Sequence, residues 1–241
     1  MWTVAQYIPV ALFSLKPATA TSSGGKTLIC PTPFAIKMAL LDAALRTLGQ
    51  NEGKRLWPTI RDLRLMVNLP ERVSVINTFT KIVRPKKHGP SDDSGTGLMT
   101  PLGSTIAYRE YVSFGGAIQL AAQLATEDTI PVMLTDLFPQ INYLGKRGGF
   151  VQLLKMPDQV GQSNLSTDQG WITLTEDQAQ FSFGGTLQIL DDCGSKMTFD
   201  HADIYSSKRI TLGKERILRH IVLPYQVARS SRGFTLYERI P

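Results

Sequence analysis

The sequence predicts an α+β fold: a ferredoxin-like, RRM-like antiparallel sheet carrying an inserted β-hairpin thumb, with a small β-rich C-terminal part. An apolar, β-branched opening run is followed by one strongly periodic helix. Two long extended runs then flank a segment rich in glycine and proline, and the order continues as strand, short helix, strand and further strands to the end. The expected division is a sheet domain over residues 1–154, its thumb at about 72–114, and a β-rich part over 155–241.

Each element has its own signal. WTVAQYIPVALFSL at 2–15 reads as an opening strand buried on at least one face. KPATATSSGGK at 16–26 is a polar loop. Thr32 and Pro33 mark a helix start, because a threonine hydroxyl caps free amides and a first-turn proline forfeits no hydrogen bond. Phe34, Met38, Leu41, Leu45 and Leu48 follow at helical spacing, and Gly49 supplies the stop. Residues 61–85 read as one or two extended strands and 105–114 as another, a hairpin whose tip should be flexible because KKHGPSDDSGTGLMTPLG cannot pack as a core element. GAIQLAAQLA alternates as a strand does, although its alanine and glutamine also suit a helix. A short helix is expected from Pro131 to Pro139, then a glycine-rich basic turn and a strand. Residues 155–180 read as connecting loop with one strand at 171–174, and FSFGGTLQIL and RILRHIVLPYQV as later strands.

Length and apolar content suffice for a core without metals or disulfides. Cys30 and Cys193 lack zinc or disulfide spacing, so a reducing, cytoplasmic setting is expected. No run of 18 apolar residues and no secretory start occur, which argues against a membrane partner and for a soluble, uncleaved chain. The formal net charge is +6, unevenly spread: +2 over residues 1–53, +7 over 54–88, −9 over 89–204 and +6 over 205–241. Basic segments flanking an acidic one point to an anionic partner such as nucleic acid.

Candidate chemistry is sparse. SSGGKT at 22–27 resembles a phosphate loop, but Ala20 stands where the first glycine belongs and no helix follows at once, so a flexible loop is the better reading. Asp191, Asp192, Asp200, His201 and Asp203 are the only close-set metal-ligand types, and Asp-Asp-Cys-Gly is ordinary turn composition; no metal or other cofactor is expected. His88, His201 and His220 form no acid/base constellation with a serine or tyrosine. The strongest local signal is Gly145-Lys146-Arg147-Gly148-Gly149, where glycines allow close backbone approach and two cations sit in an acidic stretch.

FSLK, CPTPFAIKMALLDAAL, the hairpin ending in YREYVSF, and INYLGKRGGF, in that order, resemble the Cas-five family, RAMP-superfamily subunits of type I CRISPR Cascade complexes. The resemblance implies a ferredoxin-like RAMP domain that binds the 5′ handle of the CRISPR RNA in antiviral defence. It further implies contacts to a Cas-seven backbone subunit and a large Cas-eight-type subunit, and a meeting with target DNA through the assembled ribonucleoprotein. By position it places Lys146 and Arg147 on the basic turn, Arg109 and Tyr111 on the strand after the hairpin, and Lys26 and Lys37 at the first helix. Lys81, Arg84, Lys86 and Lys87 fall on the thumb. Lysine and arginine suit RNA phosphates, and Tyr111 suits an unpaired base. No catalytic residue is expected. The alternatives are a metal-independent CRISPR RNA-processing endoribonuclease of the related Cas-six type, and a purely structural assembly protein.

Overall fold

A computed structural model describes residues 1–20, 25–85, 102–124, 134–178 and 184–241, apart from the side chains at 82, 84 and 85. The fold is mixed α+β with mostly antiparallel sheets. In chain order the strands and helices are β1 (Trp2–Pro9), α1 (Pro33–Leu48), α2 (Gln50–Arg61), β2 (Arg64–Asn68), β3 (Arg72–Pro85), β4 (Leu102–Phe114), β5 (Ile118–Gln123) and α3 (Leu134–Leu137). They continue as β6 (Val151–Val160), β7 (Trp171–Thr173), β8 (Thr186–Cys193), α4 (Phe199–Ala202), β9 (Arg216–Leu223), β10 (Tyr225–Ser230) and β11 (Phe234–Arg239).

Alternation within β1 decides how the first sheet is covered. Ala5 and Tyr7 face the main core with Leu65 and Val67 of β2, Ile118, Leu120 and Ala122 of β5, and the buried face of α1. Trp2 and Val4 face the other way, against Met66, Ala121, Leu165 and Trp171. The sheet runs β6-β1-β5-β2-β7, every paired neighbour antiparallel. Tyr7 closes the core by donating its hydroxyl to the Phe138 carbonyl at 2.7 Å.

Helix α1 begins and ends where its sequence signals lie. Thr32 is the N-cap and accepts a hydrogen bond from the Ala35 amide, Pro33 opens the first turn, and Gly49, at φ 86°, follows Leu48. Helix α2 is an element that pattern reading missed, since Gly53 and Pro58 weaken its signal. Gly53 is there for contact: a Cβ would stand 2.5 Å from Leu45 Cδ2, so its absence lets α2 lie close on α1.

The hairpin β3–β4 pairs continuously from Val73↔Phe114 to Pro85↔Leu102. Its tip lies outside the described residues. Strand β11 pairs with β3, giving a second sheet of order β10-β11-β3-β4. Arg239 of β11 pins the corner between the two sheets, bonding the Asn68 side chain and the carbonyls of Leu69 and Gly170. Gly170, at φ 84°, leaves room for that guanidinium, because a Cβ there would lie 2.3 Å from Arg239 Nη1.

GAIQLAAQLA contributes strand β5, as its alternation predicts. The short helix expected from Pro131 is described only from Leu134, and a 3-10 turn carries it past Pro139 to Gln140. The expected boundary at 154 falls inside β6, which reaches Val160 through sequence read as loop. Strands β7 and β11 join sheets containing β2 and β3, while β8 and β9 pair with each other in a third, two-stranded sheet, so 155–241 contributes strands to all three.

Replacing Thr32 by Ala removes the α1 cap and should cost about 1 kcal/mol of stability, with Thr32→Ser largely neutral. Urea denaturation of the two variants checks this; an equal loss in both would place the effect in packing around the threonine methyl.

Candidate nucleic-acid interface

The basic turn is built on backbone that only glycine adopts easily. Gly145 has φ 73° and Gly148 φ 111°. The Tyr143↔Phe150 bridge and a hydrogen bond from the Leu144 amide to the Gly149 carbonyl close it. Leu144 anchors the turn in the core, and Gly149 permits close contact, since a Cβ would lie 2.8 Å from Phe13 Cδ1. Lys146 and Arg147 are therefore held out into solvent.

Beside the turn is a cavity of about 340 Å³ at the entry to α1, lined by Lys16, Thr32, Phe34, Lys146, Asp191 and Arg216 among others. Arg216 is fixed from two sides. Its guanidinium lies 4.1 Å from the centre of the Phe34 ring, and its Nε and Nη2 donate to Asp191 Oδ2 at 2.7 and 2.6 Å. Asp191 is itself buried. Three cations, Lys16, Lys146 and Arg216, thus border one concavity, and two of them were not singled out from the sequence.

Lys37 departs from expectation. It was expected to meet RNA, but it is 2% exposed and its Nζ lies 2.6 Å from Asp192 Oδ1. Its place on the inner face of α1 removes it from any RNA surface. Asp191-Asp192-Cys193, read as part of a turn, lies instead in strand β8, and both carboxylates are buried. Asp192 Oδ1 also accepts the Cys193 amide, and Arg219 Nε lies 3.6 Å from its Oδ2.

A second concavity of about 430 Å³ lies at the base of the thumb. Lys26, which lies ahead of α1 and not on it, and Arg109 of β4 both line it, together with Arg232 from the β10–β11 turn and Asn77, Phe79 and Tyr108. Tyr108 is 70% exposed and Phe79 56%, with ring centroids 5.3 Å apart at 70°. Tyr111, opposite Ile76, is half-buried on the other face of the hairpin, so Tyr108 is the better placed ring. Lys81 is exposed on the same face as Phe79. The Arg84 side chain, Lys86, Lys87 and His88 lie outside the described residues.

Residues 14–16 line the first concavity and residues 25–26 the second, and both stretches are bonded to the body. Phe13 bridges Val112 of β4, the Leu28 amide bonds the Leu15 carbonyl, and the Glu110 amide bonds the Gly25 carbonyl. Thr27 spends its hydroxyl on Leu15 and its amide on Glu110, and the next helix starts only at Pro33, which is not phosphate-loop geometry.

Both cysteines and one histidine take structural positions. Burial pushes the Cys193 thiol up to about 12 and raises that of Cys30 further. His201 Nδ1 accepts the Thr198 amide at 3.1 Å, capping α4. His220 is exposed on β9. Among the described residues no three His, Cys, Asp or Glu side chains could hold a metal, and no helix is long and apolar enough to cross a membrane.

No family model matches the chain. A curated relative, CRISPR-associated protein Cas5 of Archaeoglobus fulgidus, is 27% identical over 136 residues, 56% of this chain and 55% of that protein. The chain therefore matches about half the length of that relative, and it resembles Cas5 as the motif order implies. Two solved structures are similar in part. A CRISPR protein from Archaeoglobus fulgidus has TM-score 0.45 at 11% identity, covering 100% of this chain and 92% of that one. A chain of a CRISPR RNA-guided surveillance complex has TM-score 0.48 at 13% identity, covering 92% and 91%.

Replacing Lys37 by Met should destabilise the chain by about 3–5 kcal/mol, because Asp192 is left as a buried charge near only the more distant Arg219. Adding Asp192→Leu should restore much of the loss. Chemical denaturation of the single and double variants tests this, and a double variant no more stable than the single would show that Asp192 matters for more than Lys37.

Proposed function

We propose, from the premise that the chain resembles Cas5, that it is a non-catalytic subunit of a CRISPR RNA-guided surveillance complex of the Cascade type and caps the 5′ handle of the CRISPR RNA. The observation that carries this reading is the pairing of the exposed Lys146-Arg147 turn with Lys16 and Arg216 around one cavity at the α1 entry. Glycine backbone lets a phosphate come close, and cations on both sides neutralise it. A strand order of β6-β1-β5-β2, with the thumb inserted between β2 and β5, supports the ferredoxin-like RAMP assignment. The proposed partners are the CRISPR RNA, a Cas-seven backbone subunit and a large Cas-eight-type subunit, with target DNA reached through the assembly. The non-catalytic reading rests on the thiols and His201 being committed to core and cap.

Replacing Lys146 and Arg147 together by Ala tests the reading. Both are exposed, so the fold should hold. Handle-RNA affinity should fall, and its salt dependence should flatten by about one to one and a half units, at roughly 0.7 per lost single-strand phosphate contact. Unchanged binding at every salt concentration would remove the turn from the site. A single cut of repeat RNA in EDTA by the purified chain would replace the capping role with endoribonuclease activity.

A further inference from the structure

The thumb carries a strip that the basic turn does not explain. Directly paired residues of an antiparallel hairpin share a face, so Phe79 with Tyr108 and Lys81 with Ile106 line the same side. Val83 at 59%, Ile106 at 62% and Leu102 at 52% exposure extend this apolar strip toward the tip. At its base the same face bears Asn77 and Glu110, and here the concavity of about 430 Å³ opens.

Cations stand on either side of that concavity. On the β4 side, Lys26 follows Gly25, whose carbonyl accepts the Glu110 amide at 2.8 Å. On the β3 side, Arg232 sits in the β10–β11 turn, which is fixed by hydrogen bonds from the Asn77 amide to the Gly233 carbonyl and from Asn77 Nδ2 to the Arg232 carbonyl, at 2.8 and 3.0 Å. Neither Lys26 nor Arg232 forms an ion pair among the described residues. Glu110, the carboxylate within the lining, is engaged by the Thr27 amide at 2.9 Å.

From this juxtaposition we infer that the thumb base is a nucleotide-binding subsite of its own: one base of a single-stranded RNA stacks on the Phe79–Tyr108 pair while its flanking phosphates lie between Lys26 and Arg232. The inference rests on the RNA-binding reading above and adds a site remote in sequence from the Lys146 turn. Exposed rings between unpaired cations are what a single strand needs, since each base offers a π-face and each linkage a charge. A cavity of this size matches a small ligand, about one nucleotide. Recognition of this kind tolerates any base. It also gives the basic C-terminal hairpin a task, because β10 and β11 hold Arg232 against the thumb.

The test measures binding of a short fluorescein-labelled oligouridylate to the full chain by fluorescence anisotropy across a salt series, with circular dichroism confirming the fold of each variant. Tyr108→Leu should weaken binding roughly five- to a hundredfold with an unchanged salt slope. Arg232→Ala should weaken it and lower the slope by about 0.7. Wild-type affinity in both variants, alongside weakened binding in the Lys146→Ala/Arg147→Ala variant, overturns the subsite and leaves the capping reading standing. No binding by the unaltered chain to this probe or to handle RNA overturns both. Tyr108→Leu binding RNA normally but failing to assemble with the other subunits would make the strip a protein-docking face and sink the inference.

Discussion

The buried ion pair between Lys37 and Asp192 is the constraint on which the rest of the molecule turns. A lysine ammonium and a carboxylate withdrawn from water cost several kcal/mol each unless they meet at close range, and these meet at 2.6 Å. The contact ties the inner face of α1, the longest helix among the described residues, to β8, a strand of the C-terminal third. Asp191, the residue before it, is buried too, and its partner Arg216 reaches the surface cavity. Two consecutive carboxylates thus connect the core to the candidate RNA surface. One is neutralised inside, and the other orients a cation at the rim.

That arrangement explains why Arg216 is a well-defined feature of the surface. A free arginine samples many rotamers, whereas this guanidinium is held by a carboxylate on one side and the Phe34 ring on another. Lys146 across the cavity is held differently, by a glycine turn whose backbone is fixed at Leu144 and Gly149. The positions of the charges around the cavity are therefore set by packing at Arg216 and by backbone geometry at Lys146.

The thumb is tied to the body in an analogous way. Its first strand, β3, gains a neighbour from β11, and Arg239 on that strand bonds the corner at Asn68 and Leu69. On the other edge, Phe13 bridges Val112 and stacks edge-on against Phe114 at 5.3 Å. Both edges of the hairpin base are occupied, so the exposed apolar strip further out rests on a rigid support.

Local chemistry determined what the sequence could show unaided. Thr32-Pro33 and Gly49 bracket α1 because capping and left-handed backbone are properties of single residues, and the alternation of Ile118, Leu120 and Ala122 marks β5 because a strand has a period of two. The basic turn was legible too, since only glycine reaches the φ values of Gly145 and Gly148. Tertiary structure decided the rest. Sequence could not tell that Lys37 points inward, because lysine on a helix is normally solvated and its partner lies 155 residues away. Helix α2 stayed hidden because Gly53 serves contact with Leu45 and weakens local propensity to do so. Arg216 and Arg232 meet their sites only when β9 and the β10–β11 turn fold back, and no local pattern records pairing between strands so far apart in the chain.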